Sequence, residues 1–423
     1  MTQQPETAAE ETDRPLPIPL VEPRDGVPVP VTTEAGLAEA IAALRAGHGP
    51  VAVDAERASG YRYGQRAYLV QLRREGAGSF LVDPVAVPDL TPLGEAIADA
   101  EWVLHAASQD LPCLAQRGMR PRRLFDTELA GRLLGYPRVG LGPIVEQVLG
   151  YSLEKGHSAA DWSTRPLPEP WLRYATLDVE VLIELRDELA AHLDREGKRA
   201  WAEEEFAALV AAAPPGPRAE PWRRTSGLHR VRKRRQLAVV RSLWEVRDDM
   251  ARRRDLSPGR VLPDAAIVNA ALSAPTTEAE LMALPVFGGR ATRRQVGLWF
   301  GAVQTAHALP EDELPEPKAA HDGPPPARSW GERDPVAAAR LAAARTAVAA
   351  IADEHGLPTE NLLAPDAVRR LAWQPPEPAG PAEVSEALRA HGARAWQIGL
   401  TAVALAKALE RAARHAAEES RPG

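Results

Sequence analysis

Apolar positions along this chain change their period once, near residue 211, and that change divides the molecule. Thr32 and Thr33, side chains suited to capping, precede an apolar helical stripe over residues 34–44. Three short apolar runs, at 51–55, 67–72 and 79–82, read as strands, and further short strands are predicted at 102–105 and near 124–125. Helical spacing recurs over 93–100, 108–117, 126–134, 141–149 and 171–196. Three strands in meander followed by strand–helix alternation predict an α/β unit, a mixed sheet with helices around it, over residues 31–210. The segment Ala211-Ala-Ala-Pro-Pro-Gly-Pro-Arg-Ala-Glu-Pro221 is a linker by composition, and beyond it the strand signal vanishes.

Residues 222–308 read as all-helical, with helices over 235–253, 264–273, 277–282 and 290–307. A Pro-rich acidic linker, 309–332, leads to a second helical block at 333–412 and a tail at 413–423. The second block repeats the order of the first. In each, a long helix precedes a loop and then a helix opened by Pro-Asp, Pro263-Asp264 in one and Pro365-Asp366 in the other, residues suited to a helix start. Residues 1–30 are Pro-rich, lack periodicity and are expected to form a flexible terminal segment.

Composition narrows the classes. The chain has 423 residues and one cysteine, which rules out an intrachain disulfide and any multi-cysteine metal centre and fits a reducing compartment. The polar, acidic start is not a signal peptide, and the alanine-rich stretches are interrupted by charges, so no membrane span is expected and the cytoplasm is the expected location. The net charge of -7 hides an asymmetry. Residues 1–221 carry 22 Lys and Arg against 34 Asp and Glu, a net of -12, whereas residues 222–300 carry 16 against 7, a net of +9. Residues 333–412 balance at 9 against 9. A basic module joined to an acidic one implies that one part grips a polyanion while another acts on it. The run Arg230-Val-Arg232-Lys233-Arg234-Arg235 is either a solvated helix face or a grip on phosphates, which adds affinity but little sequence choice.

Candidate chemistry begins at Asp54-Ala-Glu56, at the end of the apolar run 50–53. Two residues apart on a strand, both carboxylates point to one face, where crowding and lost hydration call for a counter-charge. Asp110 falls in the first turn of the helix after the 102–105 strand, and reads either as a helix-start acid or as a third ligand. Tyr174 and Asp178, four apart, share a helix face that continues as a leucine stripe. An acid there is explained by exposure near a helix end or by a metal in a cleft. The loop 155–167, with Lys155, Asp161 and Trp162, either lines a cleft or is pinned by its one aromatic. Four carboxylates select hard cations, Mg²⁺ or Mn²⁺, and suffice for two of them in an in-line phosphoryl displacement.

In this order, Asp54-Ala-Glu56, Asp110 and Tyr174-Ala-Thr-Leu-Asp178 resemble the ribonuclease D family of DnaQ-like (DEDD) 3′–5′ exonucleases, in its Tyr-containing subclass. Leu69-Val-Gln-Leu72, Phe125-Asp126-Thr127, Ala160-Asp161-Trp162-Ser and Arg165-Pro-Leu add to the likeness. The resemblance implies an RNase H-like core followed by two small all-helical HRDC-like domains, at 222–308 and, in more divergent form, at 333–412. It implies Asp54, Glu56, Asp110 and Asp178 as ligands of two divalent cations, Mg²⁺ or Mn²⁺, with Tyr174 assisting the attacking water. It implies hydrolysis of RNA from the 3′ end to nucleoside 5′-monophosphates, with tRNA precursors or other structured RNA as partners and no obligate protein partner. Lys155, Arg230, Arg232, Lys233, Arg234 and Arg235 are the expected RNA contacts. Lys155-Gly-His-Ser departs from the family's usual wording, so His157 is given no chemical role. A DNA 3′–5′ exonuclease or repair factor, and a non-catalytic nucleic-acid binder, are the alternatives, because a carboxylate cage handles phosphate and does not read the 2′-hydroxyl.

Overall fold

A computed structural model describes residues 16–154, 156–213, 216, 218–318 and 323–419. The α/β unit opens with β1 (Ile18–Leu20), α1 (Glu34–Ala46), β2 (His48–Arg57), β3 (Ala67–Glu75) and β4 (Gly78–Val82). It continues with α2 (Thr91–Ala96), β5 (Glu101–Leu104), α3 (Leu111–Ala115), β6 (Arg123–Asp126), α4 (Thr127–Leu133), α5 (Leu141–Leu149) and β7 (Tyr151–Leu153). Three helices close it, α6 (Glu169–Glu180), α7 (Leu182–Arg195) and α8 (Arg199–Ala211). The main sheet runs β4–β3–β2–β5–β6, antiparallel on the β3 side of β2 and parallel on the β5 side. Val51, Ala52 and Val53 are buried completely at its centre, as a continuous apolar run covered on both faces should be. The mixed sheet flanked by helices, followed by all-helical blocks, is the architecture that the hydrophobic pattern predicts.

Four local expectations need correction. Part of residues 1–30 is ordered. β1 pairs in parallel with β7, and Arg24–Glu184 (3.0 Å), Asp25–Arg73 (2.9 Å) and Glu22–Arg173 (2.6 Å) strap the following segment down; residues 1–15 lie outside the described chain. A three-residue strand between prolines carries no readable period. The stretch 171–196 is two helices, α6 and α7, meeting at Val181. The apolar spacing runs on through the break, so periodicity alone does not register it. The expected helix 108–117 is a tight turn, Ala107–Gln109, and then the short α3, with Pro112 near its start. Finally, the helix Pro335–Glu354 is long and apolar enough by length and composition to cross a bilayer, where no such run was expected. It carries Arg340 and Arg345, and one face of it, with Leu341, Ala344, Val348 and Ala352, is buried in the hydrophobic core.

The two helical blocks join the α/β unit differently. Residues 222–314 keep a hydrophobic core of their own around Trp222, Leu243, Phe287 and Trp299. The second block shares one continuous core with the α/β unit. There Trp396 stacks on Trp201 of α8 at 4.9 Å, and Lys198 donates to the backbone carbonyls of Leu133 (3.0 Å) and His355 (2.7 Å). The first block touches the β2–β3 loop. Arg260 donates to Gly60 O (2.9 Å) and lies over the Tyr61 ring (4.2 Å), Tyr63 donates to Asp248 (3.1 Å), and Arg66 pairs with Asp255 (2.5 Å).

Arg165 ties the loop before α6 to the sheet. Its guanidinium grips both oxygens of buried Asp83 (2.7 Å each) and donates to the carbonyls of Tyr68 (2.7 Å) and Trp162 (2.8 Å). Arg165→Ala leaves a buried carboxylate without its cation, which costs about 3 kcal/mol, slightly reduced by the partial exposure of the arginine. Denaturant unfolding should show that loss, and adding Asp83→Ala should recover part of it. Strictly additive losses in the double variant count against the coupling.

Candidate active site

Strands β2 and β5 are parallel neighbours, so the chain leaves both at the same end of the sheet. The cleft there, about 610 Å³, is walled by the end of β2, the turn after β5, the start of α5, the segment after β7 and one face of α6. Asp54 and Glu56 point into it together, as strand alternation requires. α6 packs across the antiparallel side of the sheet and brings Tyr174 and Asp178, one turn apart, to the same cleft. Ligand oxygens of Asp54, Glu56 and Asp178 all lie within 4.8 Å of one another.

Asp110 reaches the cleft from the turn between β5 and α3 but is not a member of that tight group. It occupies the cap position of α3 without capping it. Its carboxylate pairs instead with Arg57 (3.4 Å), whose guanidinium also donates to Gln109 O (2.9 Å). The turn is held from below by Asp126, which accepts from Ala106 N (3.1 Å) and Ala107 N (2.8 Å) while capping α4. Buried Gln71 on β3 donates to Asp54 (3.5 Å). Arg57, Gln71, Asp126 and the exposed Arg138 at the cleft wall were not singled out from sequence. Gln71 and Asp126 lay within segments that carried the family likeness, which was their available signal.

Electrostatics show what the arrangement lacks. Burial, and then the neighbouring carboxylates Asp54, Asp178 and Asp110, push Glu56 well above the usual range. Burial and Asp54 raise Asp178 likewise, against a hydrogen bond from Tyr174. Burial raises Asp54, and burial with the Asp54 charge carries Asp110 to about 8. Tyr174 is pushed up by burial and by Asp178, so its hydroxyl keeps its proton. Its ring packs near Trp162 (6.4 Å) and edge-on to His157 (5.8 Å). His105 is lowered to about 4 by burial and faces Thr127 Oγ1 (2.9 Å), a neutral imidazole on the cleft wall. Cys113 is buried, held near 12 by burial and Asp110, and is core. An all-oxygen set of repelling acids fits hard divalent cations.

The expected RNA contacts divide. Lys155 lies outside the described residues. Arg230, Arg232 and Lys233 are exposed. Arg234 and Arg235 do not lie free as expected, because the acidic linker takes them. Arg234 donates to Leu314 O (2.8 Å) and pairs with Glu316 (3.1 Å), and Arg235 pairs with Glu311 (2.6 Å) and donates to Leu309 O. A linker dense in Glu and Asp beside a run of arginines satisfies itself first, an outcome that residue counts cannot show.

Comparison with known proteins places these features. Residues 28–194 match a family model for the 3′–5′ exonuclease, residues 236–303 the HRDC domain, and residues 323–409 a 3′ to 5′ exonuclease C-terminal domain. Ribonuclease D of Gluconacetobacter diazotrophicus is 32% identical over 357 residues, covering 82% of this chain and 87% of its own. A crystal structure of a protein from Bifidobacterium adolescentis is 39% identical, with a TM-score of 0.87 over 93% of this chain and 100% of that one. The structure of Escherichia coli RNase D, described as an exoribonuclease involved in structured RNA processing, is 27% identical, with a TM-score of 0.67 over 90% of this chain and 98% of that one.

Proposed function

The chain belongs to the ribonuclease D family of DEDD-type 3′–5′ exonucleases and is a metal-dependent 3′–5′ exo(ribo)nuclease; from that premise we propose that Asp54, Glu56, Asp110 and Asp178 hold two divalent cations, Mg²⁺ or Mn²⁺, and that the substrate is the 3′ end of structured RNA, tRNA precursors above all. The observation that carries the reading is the convergence of Asp54, Glu56 and Asp178 within 4.8 Å, with Asp110 beside them, all four carboxyls raised by burial and three of them, Glu56, Asp110 and Asp178, also by a neighbouring carboxylate.

Cations bound there supply a water of lowered pKa and neutralise charge on the leaving 3′ oxygen. The chain's own residues do the rest. Tyr174 keeps its proton and is hydrogen-bonded to Asp178, so it orients a water through its hydroxyl and does not act as a base. Gln71 and Asp126 hold Asp54 and the Asp110 turn in place. The exposed cations Arg230, Arg232 and Lys233 support a grip on the RNA backbone outside the cleft.

Full-length protein with 3′-labelled structured RNA and Mg²⁺ or Mn²⁺ should release labelled mononucleotides, and EDTA should stop the release. Intact RNA under both metals sinks the reading, and a clear preference for the matched DNA strand reverses the substrate assignment. Tyr174→Phe should lower kcat roughly tenfold to a hundredfold, with cation affinity almost unchanged, because it removes a hydroxyl that orients water and not a ligand. A large fall in cation affinity would instead make Tyr174 part of the cage.

A further inference from the structure

We propose that Arg57 is a positioning residue that competes with the second divalent cation for Asp110, and so sets the gap between the two cation affinities. The inference rests on the two-cation reading above. Its starting point is the asymmetry of the site: three acids converge, and the fourth is held apart by a guanidinium.

Strand alternation would send Arg57 to the face opposite Glu56. The β2–β3 register slips between them, with Glu56 opposite Leu69 but Arg57 opposite Ala67. The extra residue of this irregularity, Tyr68, lies on β3, and Arg57 is the last residue of β2, so its long side chain reaches the cleft from the strand's end. Arg57 and Glu56 line the same cleft, and the guanidinium is fixed at two points, Gln109 O at 2.9 Å and Asp110 at 3.4 Å. Among the described residues, Arg57 is the one cation within ion-pair distance of any of the four acids. The Asp110 side chain is 7% exposed and that of Arg57 25%, so water and salt screen this pair less than a surface pair.

Charge then orders the events. The converged trio of Asp54, Glu56 and Asp178 is complete without Asp110 and suits a first cation. A second cation drawing on Asp110 must take that carboxylate from Arg57, and its binding is weakened by the cost of breaking the pair. Among the described residues, Arg57 also gives the metal-free cage its one paired compensating charge.

Metal-free full-length protein is titrated with Mn²⁺, following heat by calorimetry and free Mn²⁺ by its paramagnetic resonance signal. Wild type should bind in two steps. In Arg57→Gln the second step should tighten roughly tenfold and the first far less, the size expected for removing one competing charge at this distance in a partly screened site. Arg57→Lys keeps the charge but loses the fork, and its second step should tighten by an intermediate factor. Thus each variant tests the idea if the other fails to fold. A second step that is unchanged or weaker in either folded variant overturns the proposal, since Arg57 would then only brace the Gln109 turn. A single step in wild type overturns the two-cation reading and this inference with it, whereas two steps that the variants leave untouched overturn this inference alone.

Discussion

Asp54→Asn should abolish hydrolysis while leaving the protein folded and its RNA affinity nearly intact. Asp54 is the hub of the cage, because its charge raises Glu56, Asp110, Asp178 and Tyr174 alike. Asparagine keeps the shape and can still accept from Gln71, but it takes away the charge a cation needs most. Loss of a shared ligand in a two-cation site costs roughly three orders of magnitude or more in kcat, about 4 kcal/mol of barrier. The exposed basic residues Arg230, Arg232 and Lys233 are untouched, so binding of labelled RNA to the variant should match wild type. The metal-free variant should also unfold at a higher temperature than metal-free wild type, because one of four repelling charges is gone. Single-turnover cleavage of 3′-labelled RNA checks the first part; more than a tenth of wild-type activity would remove Asp54 from the ligand set.

The second large effect is a reversal of pH dependence by metal. Folding raises the Asp110 carboxyl from 3.8 to about 8, and Asp54, Glu56 and Asp178 move in the same direction. The folded protein therefore keeps protons that the unfolded chain releases. The stability from these groups is fully present below the ordinary carboxyl range and is lost as pH climbs through their folded values, for Asp110 near 8. His105 acts in the opposite sense: its folded value, about 4 against 6.5, gives stability above pH 6.5 that is lost as pH falls toward 4. Between pH 6.5 and 8.5 the acids dominate, so metal-free protein should lose melting temperature over that range, on the order of a few kcal/mol of stability. Saturating Mg²⁺ binds the deprotonated carboxylates and should flatten or invert the slope. Melting curves at both pH values, with and without Mg²⁺, decide it, and parallel slopes in the two states would count against a cation site.

The parts of this molecule legible in its sequence are those whose information is local. A period of two put Asp54 and Glu56 on one strand face, and a spacing of four put Tyr174 with Asp178 on one helix face, where the structure has them. The strands of the main sheet, and its mixed character, followed from the short apolar runs. What was hidden depends on partners distant in the chain. The pairing of Arg57 with Asp110 and with the Gln109 carbonyl joins residues some fifty apart, which no pattern within β2 records. The capture of Arg234 and Arg235 depends on a linker some eighty residues away, and the same count of charges fits a free or an occupied surface. The strand β1 finds its partner only at β7, and its three residues carry no rhythm.

The spread of the acids along the chain has a consequence during synthesis. Asp54 leaves the ribosome early on β2, Asp110 follows β5, and Asp178 arrives only with α6, the helix that lies across the sheet. A nascent chain halted before α6 holds part of a cage without its closing ligand and without Tyr174. Because the cage closes only when α6 reaches the sheet, cutting power is acquired in one step and not by degrees, and a copy halted before that helix has no complete site with which to attack the RNA that surrounds it.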